Sequence, residues 1–149
     1  MDKICVIGAG SWGTAVACTL TRNGHETVLY MRRKEQYEDM QRTGKNLRYF
    51  PELELPKSLK FSNDLKTALD GVTIVILAVS SQGNLNAIKE LKELLPSDVI
   101  VVNISKGLDR EQGLRCSQMM EEFLPDNPFA VLTGPSHAEE VMIQMPTAL

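Results

Sequence analysis

"KICVIGAGSWGTAVACTL", residues 3–20, runs from a short apolar stretch through three glycines and into a segment with helical character. Gly8, Gly10 and Gly13 are spaced G-x-G-x-x-G. Directly after a strand and at the opening of a helix, that spacing has a mechanical meaning. Gly8 permits a tight turn, Gly10 lets a pyrophosphate approach the backbone, and Gly13 lets the helix pack closely on the strand. The free N–H groups of the helix N-terminus supply an anion site. Glycines also end strands for purely structural reasons, so the rest of the chain must supply the context.

Moving outward, similar apolar, β-branched runs recur at residues 27–30, 72–79, 98–102 and 128–132, with a short strand expected near 59–61. They lack polar alternation, which is the pattern of strands buried on both faces of a parallel sheet. Helical segments separate them. "GNLNAIKELKELLP" carries Leu85, Ile88, Leu91 and Leu95 at helical spacing and is expected to stop before Pro96. "EQGLRCSQMMEEFLP" carries Leu114, Met119 and Phe123 and is expected to stop before Pro125, with Met119 and Met120 as core filler. Residues 44–62 break the rhythm, because Pro51 and Pro56 forbid a long helix; they read as an excursion over the ligand edge of the sheet. Alternating strand and helix implies an α/β fold with a doubly wound, mostly parallel sheet of the Rossmann dinucleotide-binding type, whose ligands sit beyond the carboxyl ends of the strands.

Composition sets limits on function. The 149 residues are about one domain's worth of chain, 43% hydrophobic and 23% charged, with a net charge of -3. This mild acidity argues against nucleic acid as a partner. Cys5, Cys18 and Cys116 show no metal-type spacing and fall inside apolar patterns, so no metal is expected and they read as reduced core thiols. No apolar run approaches a membrane span and no signal-peptide layout opens the chain, which points to a cytoplasmic protein.

Three further places carry chemistry. The second strand of such a sheet normally ends in an acid that bonds the ribose hydroxyls of NAD; here it ends "LYMRRKE". Arg32 and Arg33 in that position suit the 2′-phosphate of NADP, or else form a solvated basic helix start beside Glu35. "NISKGLD" places Lys106 at the carboxyl edge of the sheet, where an ammonium could hold a phosphate or polarise a carbonyl, or could be an ordinary surface lysine. "TGPSHAEEV" combines a turn at Gly134 and Pro135 with Ser136 as an expected helix N-cap, forming a capping box with Glu139. His137 has no evident partner and reads as a surface or packing residue.

"GAGSWGTA", "SKGL", "GPSHAEEV" and the closing "PTA", in that order, closely resemble the bacterial NAD(P)-dependent glycerol-3-phosphate dehydrogenases over the whole chain. The resemblance implies NADP(H), or alternatively NAD(H), as cofactor. It implies dihydroxyacetone phosphate and sn-glycerol 3-phosphate as substrates, a role in phospholipid synthesis, and a homodimer for the full-length enzyme. It also implies Gly8, Gly10, Ser11, Trp12 and Gly13 around the pyrophosphate, Arg32 and Arg33 at the adenosine end, and Tyr49 closing over the cofactor. Lys106 would touch both cofactor and substrate, Gly134 and Ser136 would line the substrate site, and Ala138 would lie by the cofactor. Two positions depart from the family pattern: Ser80 stands where proline is frequent, and His137 where an aromatic or apolar residue is common. Family members continue into an all-helical domain carrying the main proton-transfer lysine, which by the resemblance is expected beyond Leu149. Residues 1–149 therefore correspond to the NAD(P)-binding domain alone, expected to bind cofactor without turning over. Another reductase of the same fold and a stand-alone NADP(H)-sensing module remain the competing readings.

Overall fold

A computed structural model of the chain describes residues 2–148; Met1 and Leu149 lie outside the described residues. Among these, six strands alternate with six helices: β1 (Lys3–Ile7), α1 (Ser11–Arg22), β2 (Glu26–Tyr30), α2 (Lys34–Thr43), β3 (Lys60–Ser62), α3 (Leu65–Leu69), β4 (Ile74–Leu77), α4 (Ser81–Lys92), β5 (Ile100–Asn103), α5 (Cys116–Phe123), β6 (Phe129–Val131) and α6 (Ala138–Met142). The strands form one sheet in the order β3-β2-β1-β4-β5-β6, and every neighbouring pair is parallel.

β1 shows why the runs are apolar throughout. Cys5 and Ile7 face one layer, packed with Ile88 and Leu91 of α4 and Cys116 and Met119 of α5. Ile4 and Val6 face the other, with Ala15, Ala17 and Cys18 of α1, Met40 of α2 and Met142 of α6. A strand covered on both sides gains from burial at every position, about 1.5–3 kcal/mol for each large aliphatic side chain, and so cannot alternate with polar residues. Because the chain winds outward from β1 to β2 and β3, then crosses back to β4, the winding reverses between β1 and β4. That reversal opens a crevice at their carboxyl ends.

Residues 44–59 contain no regular element; the segment leaves the far end of α2, and Asn46 and Tyr49 bring it back over the carboxyl edge, beside the Ala9 carbonyl and the crevice. Gly44 ends α2 in the left-handed conformation at φ 67°, its N–H donating to the Met40 carbonyl at 2.9 Å. Phe50, Leu55 and Leu59 then bury their side chains as the segment descends to β3.

Two expectations from the sequence need correction. The helix read over 111–123 starts only at Cys116. Gly113 takes a left-handed φ of 66°, and the Asp109 carboxylate accepts from the Glu111 and Gln112 N–H groups at 3.1 and 2.8 Å, so the chain turns before the helix begins. The capping box at Ser136 and Glu139 is absent: α6 is capped at His137, which makes no side-chain cap bond, and the Ser136 hydroxyl is buried without a partner. No helix among the described residues is long and apolar enough to cross a membrane.

Candidate functional site

The glycine turn divides into two glycines that the fold requires and one that it does not. Gly8 has φ 114°, and a Cβ there would lie 2.7 Å from the Ala78 carbonyl oxygen. A Cβ on Gly13 would strike the Gly8 carbonyl oxygen and lie 3.0 Å from the Ala78 Cβ. Both absences let α1 nest against β1 and β4. Gly10 differs: at φ -76° and ψ -172° its backbone suits any residue, and a Cβ there would meet nothing within 4 Å. Its missing side chain leaves open space at the N-terminus of a 12-residue helix that has no side-chain cap bond and no acid in its first turn. The leading N–H groups and the positive end of the helix dipole therefore face that space uncompensated.

On one side of this cradle lies a cavity of about 310 Å³. Tyr30, Leu65, Val79 and Ala87 give it apolar walls; Arg32, Arg33, Gln36 and Glu90 give it a charged and polar rim, and Tyr49 stands at its edge, 40% exposed. Arg32 and Arg33 follow the end of β2, so the expected position at the strand's carboxyl edge holds. The Arg32 guanidinium lies 4.0 Å from the Glu90 carboxylate, and Arg33 donates to the Gln36 side-chain oxygen at 3.4 Å. Burial, then the nearby Glu90 charge, raises the Tyr30 phenol above its ordinary pKa. Ser80 also lines this cavity, in an extended conformation just before α4.

On the other side a second cavity, of about 280 Å³, is bounded by Ser11, Trp12, Ala78, Ser105, Lys106, Ser136, His137 and Ala138, and it meets the first at Val79. Lys106 reaches across it and donates to the Ser136 carbonyl oxygen at 3.3 Å. A polar lattice sets the lysine there. Asn103, at the end of β5, accepts from the Ser105 N–H at 3.2 Å and donates to the Ser105 carbonyl. The Ser105 hydroxyl bonds to the Leu77 carbonyl and to Asn84 of α4 at 3.3 and 3.1 Å. The partnerless Ser136 hydroxyl lies in this wall; a buried polar atom left unpaired is costly, and a ligand group could satisfy it.

Ser11, Trp12, Lys106, Ser136 and Ala138 thus share the second cavity, while Gly8, Gly10, Arg32, Arg33 and Tyr49 share the first. Gly13 lies beneath, and Gly134 falls outside both walls. The expectation of a proton-transfer lysine beyond Leu149 falls outside the described residues, which end at residue 148. Gln36, Asn46, Asn84, Glu90, Asn103 and Ser105 escaped the reading of the sequence. Asn103 alone carried a local signal, an Asn at a strand end two residues before a serine.

A sequence profile described as the N-terminus of NAD-dependent glycerol-3-phosphate dehydrogenase matches residues 3–149. The glycerol-3-phosphate dehydrogenase [NAD(P)+] of Thermoanaerobacter sp. (strain X514) is 42% identical over 98% of this chain, and that of Bacillus pumilus is 41% identical over all of it. In each case the chain spans 44% of the relative's length. The crystal structure of the Coxiella burnetii glycerol-3-phosphate dehydrogenase superposes with a TM-score of 0.92 at 36% identity, covering 98% of this chain and 45% of that one. With the glycine cradle and both flanking cavities in the same fold, the chain belongs to the NAD-dependent glycerol-3-phosphate dehydrogenases and corresponds to their N-terminal part.

Proposed function

We propose that residues 1–149 form the cofactor-binding domain of an NAD(P)-dependent glycerol-3-phosphate dehydrogenase, acting on dihydroxyacetone phosphate and sn-glycerol 3-phosphate. The observation that carries this reading is Gly10, whose vacant Cβ position has no explanation within the chain. A dinucleotide fits around it. The pyrophosphate would lie over Gly10 and the N–H groups of Ser11 and Trp12, with Gly8 and Gly13 packed against each other beneath it. The adenosine would lie in the cavity rimmed by Arg32, Arg33 and Tyr49, with either NADP(H) or NAD(H) accommodated. The nicotinamide end would lie beside Lys106 and Ala138.

When bound, the nicotinamide supplies a hydride donor or acceptor at the carboxyl ends of β1 and β4. The chain's own residues bind and orient. The Lys106 ammonium, held by a neutral carbonyl and not by a carboxylate, keeps its charge available for a substrate phosphate or carbonyl oxygen. The Ser136 hydroxyl offers an unused hydrogen bond in the same wall, and Gly134 precedes it on the same loop. Reduction also requires a proton for the alkoxide and a second wall against water, which we assign to the part of the relatives' length beyond the position of Leu149, which this chain does not span.

Titration of NADPH by calorimetry into the wild-type chain and Gly10→Val tests the reading. The variant is expected to keep its thermal transition, since its backbone conformation is open to valine, and to lose measurable binding. Near-normal affinity in a folded Gly10→Val protein would overturn the assignment.

A further inference from the structure

The carbonyl oxygen of Ala9, between the first two glycines of the turn, is gripped twice. Gln36 of α2 donates its side-chain Nε2 to it at 2.8 Å, and Asn46 of the segment after α2 donates its Nδ2 at 3.1 Å. Asn46 is fully buried, and its Nδ2 also lies 2.8 Å from the Thr14 hydroxyl on α1. The Asn46 side-chain oxygen is buried without a partner, so the residue tolerates an unpaired acceptor in order to place its amide donors. Two amide side chains from different elements thus converge on one backbone oxygen at the entrance to the anion cradle.

We propose that Gln36 and Asn46 are positioning residues for the dinucleotide pyrophosphate, acting through the Ala9 carbonyl. This rests on the dinucleotide reading above. The physical argument has two parts. A peptide unit is planar and trans, so fixing the direction of the Ala9 carbonyl fixes the Gly10 N–H and the entry into the first turn of α1. A carbonyl oxygen also carries partial negative charge; left free beside an anion site it could swing toward a phosphate and repel it. Two donors hold it turned to the protein and offset its charge before any ligand arrives, so the cradle needs no reorganisation on binding. Asn46 adds a second link: its own carbonyl accepts from the N–H groups of Tyr49 and Phe50 at 3.1 and 2.7 Å, joining the cavity-edge tyrosine to the same clamp.

The test uses Gln36→Met, which keeps side-chain length and removes the donor at a half-buried site, together with Asn46→Ala. Affinities for NADH and NADPH are measured by calorimetry, thermal transitions by circular dichroism, and the Gly10 amide resonance by ¹H–¹⁵N correlation in the free protein. Gln36→Met is expected to shift the Gly10 resonance and to weaken both cofactors by the same factor, about three- to tenfold, with the thermal transition nearly unchanged. Equal loss matters because Gln36 also meets Arg33. A loss confined to NADPH would place the effect at the adenosine phosphate and overturn the proposal, as would unchanged affinity for both. Should Asn46→Ala fail to fold, Gln36→Met decides alone. If wild type binds neither dinucleotide, the functional reading fails and this proposal falls with it; if wild type binds and the variant binds equally, only this proposal fails.

Discussion

Arg32 and Arg33 stand exposed at the rim of the larger cavity, and their present partners are weak. An exposed pair at 4.0 Å with Glu90 contributes little, and the contact with Gln36 is long. Both guanidiniums can therefore leave those partners for a dianionic phosphate, which offers charge-assisted, paired hydrogen bonds. Replacing both arginines with alanine should weaken NADPH about tenfold more than NADH, read as the ratio of dissociation constants. Equal losses would mean a solvated basic edge and nothing more. The arginines and the glycines were legible in the sequence because their chemistry is local: a glycine announces open space, and an arginine at a strand end announces charge. Gln36 and Asn46 were not, since their shared partner lies 27 and 37 residues away and nothing beside them in the chain hints at it. Glu90 escaped for a similar reason. On a helix with lysines at 89 and 92 it looks like ordinary solvated surface, and only the fold turns it toward the cavity.

At the scale of the elements, α1 and β1 are held together by an absence. Gly13→Ala would drive a methyl into the Gly8 carbonyl, a backbone atom that cannot rotate away, and is expected to destabilise the chain by about 3 kcal/mol or more in urea unfolding. Gly10→Ala, where the new methyl meets nothing, should stay within about 0.5 kcal/mol of wild type. Comparable losses at both positions would show that the two glycines do one job. The buried strands were readable as continuous apolar runs, and the prolines marked where helices could not continue. The errors arose where a turn imitated a helix. Leu114 fits the helical spacing of α5 and still packs on the core, yet Gly113 and the Asp109 carboxylate turn the chain ahead of it. Ser136 and Glu139 carry the capping-box spacing, but the helix begins one residue later than the pattern requires, and the serine is left facing the cavity wall.

Across the whole molecule, both layers of the core contain thiols whose ionisation the fold opposes. Burial pushes Cys5 up to about 12, Cys18 to about 11 and Cys116 to about 11, from an ordinary value near 9.0; Lys3 and Arg22 offset this only in part for the first two. A folded-state pKa above the unfolded one contributes stability that is complete below the unfolded value and is lost as pH rises through the folded value. The midpoint of guanidinium unfolding should accordingly fall as pH climbs above about 9. A variant with alanine at all three cysteines should show a shallower fall, and an identical slope would assign the effect elsewhere. The strand order carries a consequence for how the chain is made. β1 sits at the centre of the sheet, and its second edge pairs with β4, Ile4 opposite Ile74. During synthesis β2 can dock soon after β1 emerges, but the other edge waits for about 70 further residues, roughly 4–14 s at ordinary elongation rates. Through that interval the nascent chain presents Ile4, Cys5, Val6 and Ile7 on an open parallel edge. The strand that leads into the glycine turn is thus the one that waits longest for its second neighbour, with its edge open to wrong pairing meanwhile.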